Sequence, residues 1–205
     1  MRSDTVIIKS GGSGVEEALK QAEATALYKG LDKKDALHLR LLTEETAGML
    51  RAMAGNVEAE FWIEDKNRDF ELHLKARAEM NSKMRKELLS VSTSGKNEAA
   101  KGFMGKIRQL FETAAEPLDD TMPSSFAAGW ITAGAASGYM PAMGEIQAEV
   151  WSLNQYKSEL SAKKTEKEKE AWDELEKSVV SKLADDVKIT ISKGVIELVI
   201  CKKFA

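Results

Sequence analysis

The sequence has little of the chemistry that disulfide and zinc frameworks need. It contains one cysteine, Cys201, and two histidines, His38 and His73. A single cysteine excludes an internal disulfide framework, and the histidines stand in no CxxC or HxxxH spacing that would indicate a zinc site. The first residues include Asp4 and only a short apolar run, so they lack the apolar core of a signal peptide. We therefore expect a cytoplasmic protein without a bound metal.

An excess of charge of either sign is also missing. The chain carries 30 Lys and Arg against 33 Asp and Glu, a formal net charge of −3. No general basic field points to nucleic acid or to an anionic membrane, and neither is expected as a partner.

One long segment, residues 121–143, has no charged residue. Its length approaches the ~20 residues that cross a bilayer. The segment is rich in Ala, Gly and Ser and is broken by Pro123 and Pro141, which argues against a membrane span. Its aromatic and methionine residues suit a protein-binding surface, a lid or a cover for a sheet edge.

Apolar periodicity predicts helices in the first quarter of the chain. After a first strand within residues 1–10, near-helical spacing runs from Val15 until Gly30. A second helix is predicted over residues 33–53, with Asp32 as its N-cap. Further helices are predicted around residues 81–91 and 103–114.

Alternation of apolar and polar residues predicts two hairpins. The first has strands at 57–63 and 70–78 around the turn sequence DKNR, and places His73 on the wetter face as a solvated residue. The second pairs 187–191 with 196–200, with Cys201 packed or inert at the strand end. Residues 117–184 are predicted to hold a Gly/Ala-rich loop and a helical hairpin, whose first helix includes Ile146, Val150, Leu153, Tyr156 and Leu160.

This order of elements predicts the α+β class. We expect a two-layer α/β sandwich in which helices cover one face of a mixed, mainly antiparallel sheet. The whole chain, 1–205, is predicted to be a single domain, and residues 117–184 are predicted to be a helical insertion within it.

The stretch SGKNEAAKGFMGKIRQLF, residues 94–111, combines glycines and lysines before a helix, an arrangement suited to phosphate. A Walker A loop is excluded, because Ala100 stands where its first glycine belongs and Ile107 where Ser or Thr belongs.

The element order together with this stretch resembles the GHKL ATPase domain found in DNA gyrase and histidine kinases. Within that group the chain looks most like the anti-sigma-factor serine kinases. The resemblance covers residues 5–116 and 180–203. It implies ATP as the ligand, a protein partner such as a sigma factor or its regulator, and a homodimer.

The family motifs are matched unequally. Glu44 or Glu45 matches the glutamate of the second helix, but Gly48 and Met49 stand where the magnesium-binding asparagine would follow. This absence argues against magnesium and against the family's phosphoryl transfer. Glu79 is the nearest acid to the adenine-binding aspartate motif. The lid is the best match, and the residues that the resemblance assigns to nucleotide there are Lys96, Asn97, Lys101, Gly102, Gly105 and Lys106.

Two functions follow from these matches. The first is an ATP-binding regulatory protein with weak or no catalytic activity; if active, it would be a serine kinase or ATPase of the GHKL type. The second is a nucleotide-free pseudo-enzyme that binds a protein through residues 121–143.

Overall fold

A computed structural model describes residues 1–51, 57–77, 148–162, 166–192 and 195–204 of the chain. Strands and helices occur in both halves, which confirms the α+β class. The elements in chain order are β1 (Val6–Lys9), α1 (Val15–Tyr28), α2 (Lys33–Arg51), β2 (Glu58–Lys66), β3 (Asp69–Arg77), β4 (Ala148–Ser152), α3 (Leu153–Ala162), α4 (Glu166–Lys177), α5 (Val179–Leu183), β5 (Asp186–Ser192) and β6 (Val195–Lys203).

The strands form one six-stranded sheet in the order β1-β2-β3-β6-β5-β4. Every pair of neighbours among these strands is antiparallel, so the parallel component of the predicted sheet is not seen in the described part of the chain. The two predicted hairpins, β2–β3 and β5–β6, are confirmed. They join through β3 and β6, where Leu74 lies opposite Leu198.

One face of the sheet packs against the helices. Alternate strand residues on this face are fully buried and share one core with helix residues. The core includes Ile8, Ala18, Ala22, Leu39, Leu42, Leu50, Phe61, Ile63, Leu72, Leu74, Leu153, Val180, Ile189, Leu198 and Ile200. Because strand side chains alternate between faces, the polar residues between these positions lie on the other side, which we call the polar face.

The second helix begins as predicted. The Asp32 Oδ1 accepts a hydrogen bond from the Asp35 backbone N–H at 2.8 Å, which satisfies one of the free donors at the helix start. Inside the helix the buried hydroxyls of Thr43 and Thr46 donate to backbone carbonyls four residues earlier. The helix is described as far as Arg51, so the predicted end at 53 lies outside the described residues.

The helical prediction for residues 146–160 was wrong in its first part. Residues 148–152 form strand β4, which pairs with β5 at the sheet edge with a register shift between Glu149 and Trp151. Hydrogen bonding of residues 148–152 to β5 outweighs a helical spacing that has only Ile146 and Val150 before Leu153. The helix starts at Leu153, where the Ser152 Oγ accepts from the Gln155 N–H. The predicted insertion therefore contributes a strand as well as helices.

The second predicted helix of that segment is interrupted. It consists of α4 and α5, and Ser178 between them caps α5 by accepting from the Ser181 N–H. The helices predicted around 81–91 and 103–114 lie outside the described residues.

The β2–β3 turn is held by a buried aspartate. Asn67 and Arg68 form the turn with positive φ angles of 56° and 68°. The Asp65 carboxylate accepts from the Arg68 N–H at 3.0 Å and pairs with the Lys29 ammonium at 2.5 Å, which ties the turn to the end of α1. Burial by itself raises the pKa of Asp65, but the hydrogen bonds from Lys29 and from the Arg68 backbone outweigh it and leave the pKa below its ordinary value.

We expect Asp65→Asn to destabilise the protein by about 2 kcal/mol at neutral pH, because it removes a charge-assisted hydrogen bond from a buried position. A carboxylate with a lowered pKa stabilises the fold above its ordinary pKa, and the contribution is lost as pH falls through the folded-state value. Denaturant unfolding at a series of pH values should therefore show the difference from wild type shrinking in acid. A difference that stays constant with pH would contradict this role.

Gly14 precedes α1 with a φ of +82°, and a Cβ at this position would lie 2.0 Å from the Ile7 carbonyl oxygen. Gly30 has a φ of +62°, and no residue in the described part of the chain lies within 4 Å of a Cβ built there. We expect Gly30→Ala to cost about 1–2 kcal/mol from backbone strain alone, and Gly14→Ala to cost about 2–5 kcal/mol because a clash is added. Thermal or denaturant unfolding measures the loss of stability in each variant. Equal losses would show that the Ile7 carbonyl moves away from the new Cβ at no cost in free energy.

Candidate functional site

The residues predicted to bind nucleotide are only partly described. Glu44 and Glu45 lie on α2, where Glu44 is exposed and Glu45 is half-buried. Their flanking residues Thr43 and Thr46 are fully buried. The remaining predicted ligands lie outside the described residues: Glu79, Lys96, Asn97, Lys101, Gly102, Gly105 and Lys106. The structure therefore positions the helix side of the predicted site and no more of it.

A second group of residues, which the sequence did not indicate as a site, lies on the polar face. We call it the His73 cluster, and its members come from the three strands β2, β3 and β6. They are Trp62, Glu64, Glu71, His73 and Glu197. Strand register explains their proximity, since Trp62 lies opposite His73 and Glu64 lies opposite Glu71.

The imidazole of His73 is the centre of the cluster. Its Nδ1 lies 2.9 Å from the Glu197 Oε1. A carboxylate can only accept a hydrogen bond, so Nδ1 carries the proton and donates it. In the neutral ring, Nε2 then carries the lone pair. This atom is buried, has no hydrogen-bond partner in the described part of the chain, and lies 3.8 Å from the Glu71 Oε2.

Aromatic packing fixes the plane of this imidazole. The Trp62 and His73 rings stack with 4.7 Å between their centroids and 8° between their planes. The Arg2 guanidinium lies over the Trp62 ring, 4.4 Å from its centroid. The Arg2 backbone pairs with that of Glu64 in an isolated antiparallel β-bridge, which holds Arg2 beside this part of β2. Trp62 is 6% exposed, so the ring is held between its neighbours and restricts rotation of His73.

The two opposed glutamates form an acidic pair. Like charges directly opposite one another on neighbouring strands are destabilising, so this pair needs compensation. The Lys66 ammonium lies 3.3 Å from a Glu71 oxygen and 3.9 Å from a Glu64 oxygen. The Trp62 indole N–H donates to the Glu64 Oε1 at 3.0 Å, and this hydrogen bond is the main cause of a lowered pKa for Glu64.

The Glu197 carboxylate is also held in its charged form. The hydrogen bond from His73 is the largest influence on its pKa, and it outweighs the opposing effect of burial, so the pKa lies below its ordinary value. The His73 side chain is 12% exposed, so the prediction that His73 is a solvated residue was wrong. Strand alternation gave its face correctly but gave no sign of the Trp62 ring or of Glu197, which is 124 residues away in the chain. An available signal was the Glu-x-His pattern on a strand whose hairpin partner carries a glutamate.

The His73 cluster brings atoms that can bind a metal ion close together. One ligand atom from each of Glu64, Glu71 and His73 lies within 4.8 Å of the others. Nitrogen and carboxylate oxygen atoms at such separations are able to converge on a single cation. Cys201, on the same face, does not extend this set as a reactive thiol, since burial raises its pKa to about 11. This agrees with the prediction of an inert cysteine at the strand end.

Within the described part of the chain, no helix is long and apolar enough to cross a membrane. Residues 121–143 lie outside that part. Comparison of the chain with protein-family models, with curated proteins and with solved structures finds no match.

Trp62→Phe keeps an aromatic ring beside His73 but removes the indole N–H. We expect this change to raise the pKa of Glu64, because its largest stabilising hydrogen bond is lost, and to leave the pKa of Glu197 unchanged. Carbon-detected NMR titration of the side-chain carboxylates measures both groups in one sample, with Glu197 as the internal control. An unchanged pKa for Glu64 would show that the indole does not hold this carboxylate.

Proposed function

We propose that the chain is a nucleotide-binding regulatory protein of the GHKL type, with ATP as its ligand and with weak or no catalytic activity. The observation that carries the proposal is the position of α2. This helix packs on the sheet through one side and presents Glu44 and Glu45, exposed and half-buried, at its outer surface. A ligand could approach these carboxylates without disturbing the core.

Glu45 is the better candidate for contact with a bound ligand. A half-buried carboxylate is partly desolvated and restricted in its rotamers, whereas the exposed Glu44 is surrounded by water. On the same helix Gly48 has no side chain, and among the described residues a Cβ built there would approach the Arg51 side chain at 3.9 Å. We propose that the ligand lies along this part of the helix.

The phosphates would be held by the segment of residues 94–106. Its lysines 96, 101 and 106 supply positive charge, and Gly102 and Gly105 permit close approach of backbone N–H groups. Because no asparagine follows Glu44 or Glu45 by four residues, magnesium lacks its family ligand. Binding without efficient phosphoryl transfer is the consistent outcome.

A regulatory protein of this kind acts through a partner. We propose a protein partner, a sigma factor or its regulator by resemblance, whose docking changes when nucleotide binds. The same resemblance favours a homodimer, and the single cysteine favours a cytoplasmic location. The uncharged residues 121–143 are the candidate partner surface.

Isothermal titration calorimetry with ATP and ADP, with and without magnesium, tests the proposal. We expect micromolar binding, about −8 kcal/mol, with little dependence on magnesium.

Glu45→Gln should change the affinity for ATP and the matched variant Glu44→Gln should not, because only Glu45 is half-buried. Replacing Lys101 and Lys106 together by Ala should weaken binding, because positive charge is removed from the phosphates, and we expect no loss of thermal stability.

Absence of binding up to millimolar nucleotide would contradict the proposal. It would favour the alternative, a nucleotide-free scaffold that works as a protein-interaction module. Strong dependence on magnesium would instead show that another group replaces the missing asparagine, and would reopen the question of catalysis.

A further inference from the structure

We propose that the His73 cluster is a binding site for a divalent transition-metal ion of the zinc type, with His73 Nε2 and carboxylate oxygens of Glu71 and Glu64 as its ligands. The ligand atoms of these three residues lie within 4.8 Å of one another. In a tetrahedral zinc site with bonds of about 2.0–2.2 Å, the ligand atoms are separated by roughly 3.5 Å. The Nε2 of His73 is already 3.8 Å from the Glu71 Oε2, so small side-chain rotations suffice.

The hydrogen bond from His73 to Glu197 also supports a metal site. Histidines that bind metals usually donate their other ring N–H to a carboxylate or carbonyl, which fixes the tautomer and makes the ligating nitrogen more basic. Glu197 occupies this role at 2.9 Å from Nδ1. The opposite nitrogen, Nε2, is left buried without a hydrogen-bond partner among the described residues, and it faces a carboxylate that cannot donate a proton to it when charged.

The acidic pair supplies the electrostatic reason for a cation. Glu64 and Glu71 are directly opposed in the sheet. The positive charge that compensates them is the Lys66 ammonium, which lies 3.3 Å from a Glu71 oxygen and 3.9 Å from a Glu64 oxygen. The Lys66 side chain is 70% exposed. An exposed lysine is weakly held because such ion pairs contribute little. A divalent ion between the two carboxylates would displace it at small cost.

The ligand set selects the class of metal. Magnesium and calcium prefer oxygen ligands only, whereas an imidazole nitrogen with carboxylates suits zinc and neighbouring first-row metals. Three protein ligands leave the fourth tetrahedral position for water or for a group of a partner. The site lies on the polar face, whereas Glu44 and Glu45 lie on a helix packed against the opposite face, so it is separate from the proposed nucleotide site.

Calorimetric titration of ZnCl2 into tag-free protein stripped with EDTA, in the absence of nucleotide, tests the proposal. We expect one equivalent of zinc, unaffected by excess magnesium, and a rise in melting temperature with zinc concentration. His73→Ala should weaken binding at least tenfold and Glu197→Gln by about 10- to 100-fold. The control His38→Ala removes the other histidine of the chain, on α2, and should bind zinc like wild type.

Isosteric variants keep the test decisive if His73→Ala fails to fold, which circular dichroism in EDTA would show. Glu64→Gln and Glu71→Gln should each weaken zinc binding, whereas Glu60→Gln, on the same strand β2 but outside the ligand set, should not. In Co²⁺-loaded protein, visible absorption bands of tetrahedral cobalt should appear in wild type and be lost in Glu71→Gln.

Replacing Lys66, which competes with the metal ion for the two carboxylates, should strengthen zinc binding instead of weakening it. Lys66→Met should raise zinc affinity roughly three- to tenfold, because the carboxylates lose their bound cation. Lys9→Met is the matched control, since Lys9 pairs with Glu58 at the other end of β2, and it should leave the affinity within about twofold.

Zinc binding by wild type weaker than about 100 µM, or affinity that is equal in wild type and in a folded His73 or Glu71 variant, would overturn the proposal. Either result would leave the nucleotide proposal standing, because the titration contains no nucleotide. Conversely, failure of ATP to bind does not alter the zinc result.

Discussion

The register of strands β2, β3 and β6 decides which side chains enter the core and which lie on the polar face. In this register Leu74 lies opposite Leu198, and the core residues of all three strands, such as Ile63 and Ile200, face the helices. A slip of one residue would turn every side chain of a strand to the other face. The same pairing that closes the core therefore brings Trp62, His73 and Glu197 together on the polar face.

The polar face carries an electrostatic conflict that the fold tolerates. Glu64 and Glu71 lie directly opposite one another. The Trp62 indole N–H stabilises Glu64 by a hydrogen bond, and the exposed Lys66 ammonium stabilises Glu71 by an ion pair. His73 is held by Trp62 and by Glu197 with one buried nitrogen that has no partner in the described residues. Buried polar atoms are generally paired, so the unpaired Nε2 beside two carboxylates is the feature on which the zinc proposal is based.

Sequence patterns predicted the elements whose periodicity is local. Helices α1 and α2, the Asp32 cap and both hairpins follow from spacing within a few residues. Strand β4 was missed because the helical spacing that starts at Ile146 continues without a break into α3, and because the hydrogen bonds of β4 come from β5, about 40 residues later. The environment of His73 was missed for the same reason, since Glu197 reaches it only through the β3–β6 pairing. Of the candidate nucleotide site, the structure adds only that Glu45 is half-buried and Glu44 exposed.

The tautomer of His73, that is, which ring nitrogen carries the proton, follows from these contacts and can be measured directly. Long-range ¹H–¹⁵N NMR at mildly alkaline pH distinguishes the two ring nitrogens. We predict that Nδ1 carries the proton, that Nε2 is unprotonated, and that only the Nε2 resonance moves strongly when zinc is added. A proton on Nε2 with an unprotonated Nδ1, or two resonances that do not respond to zinc, would show that the sheet register does not present His73 as a metal ligand on the polar face.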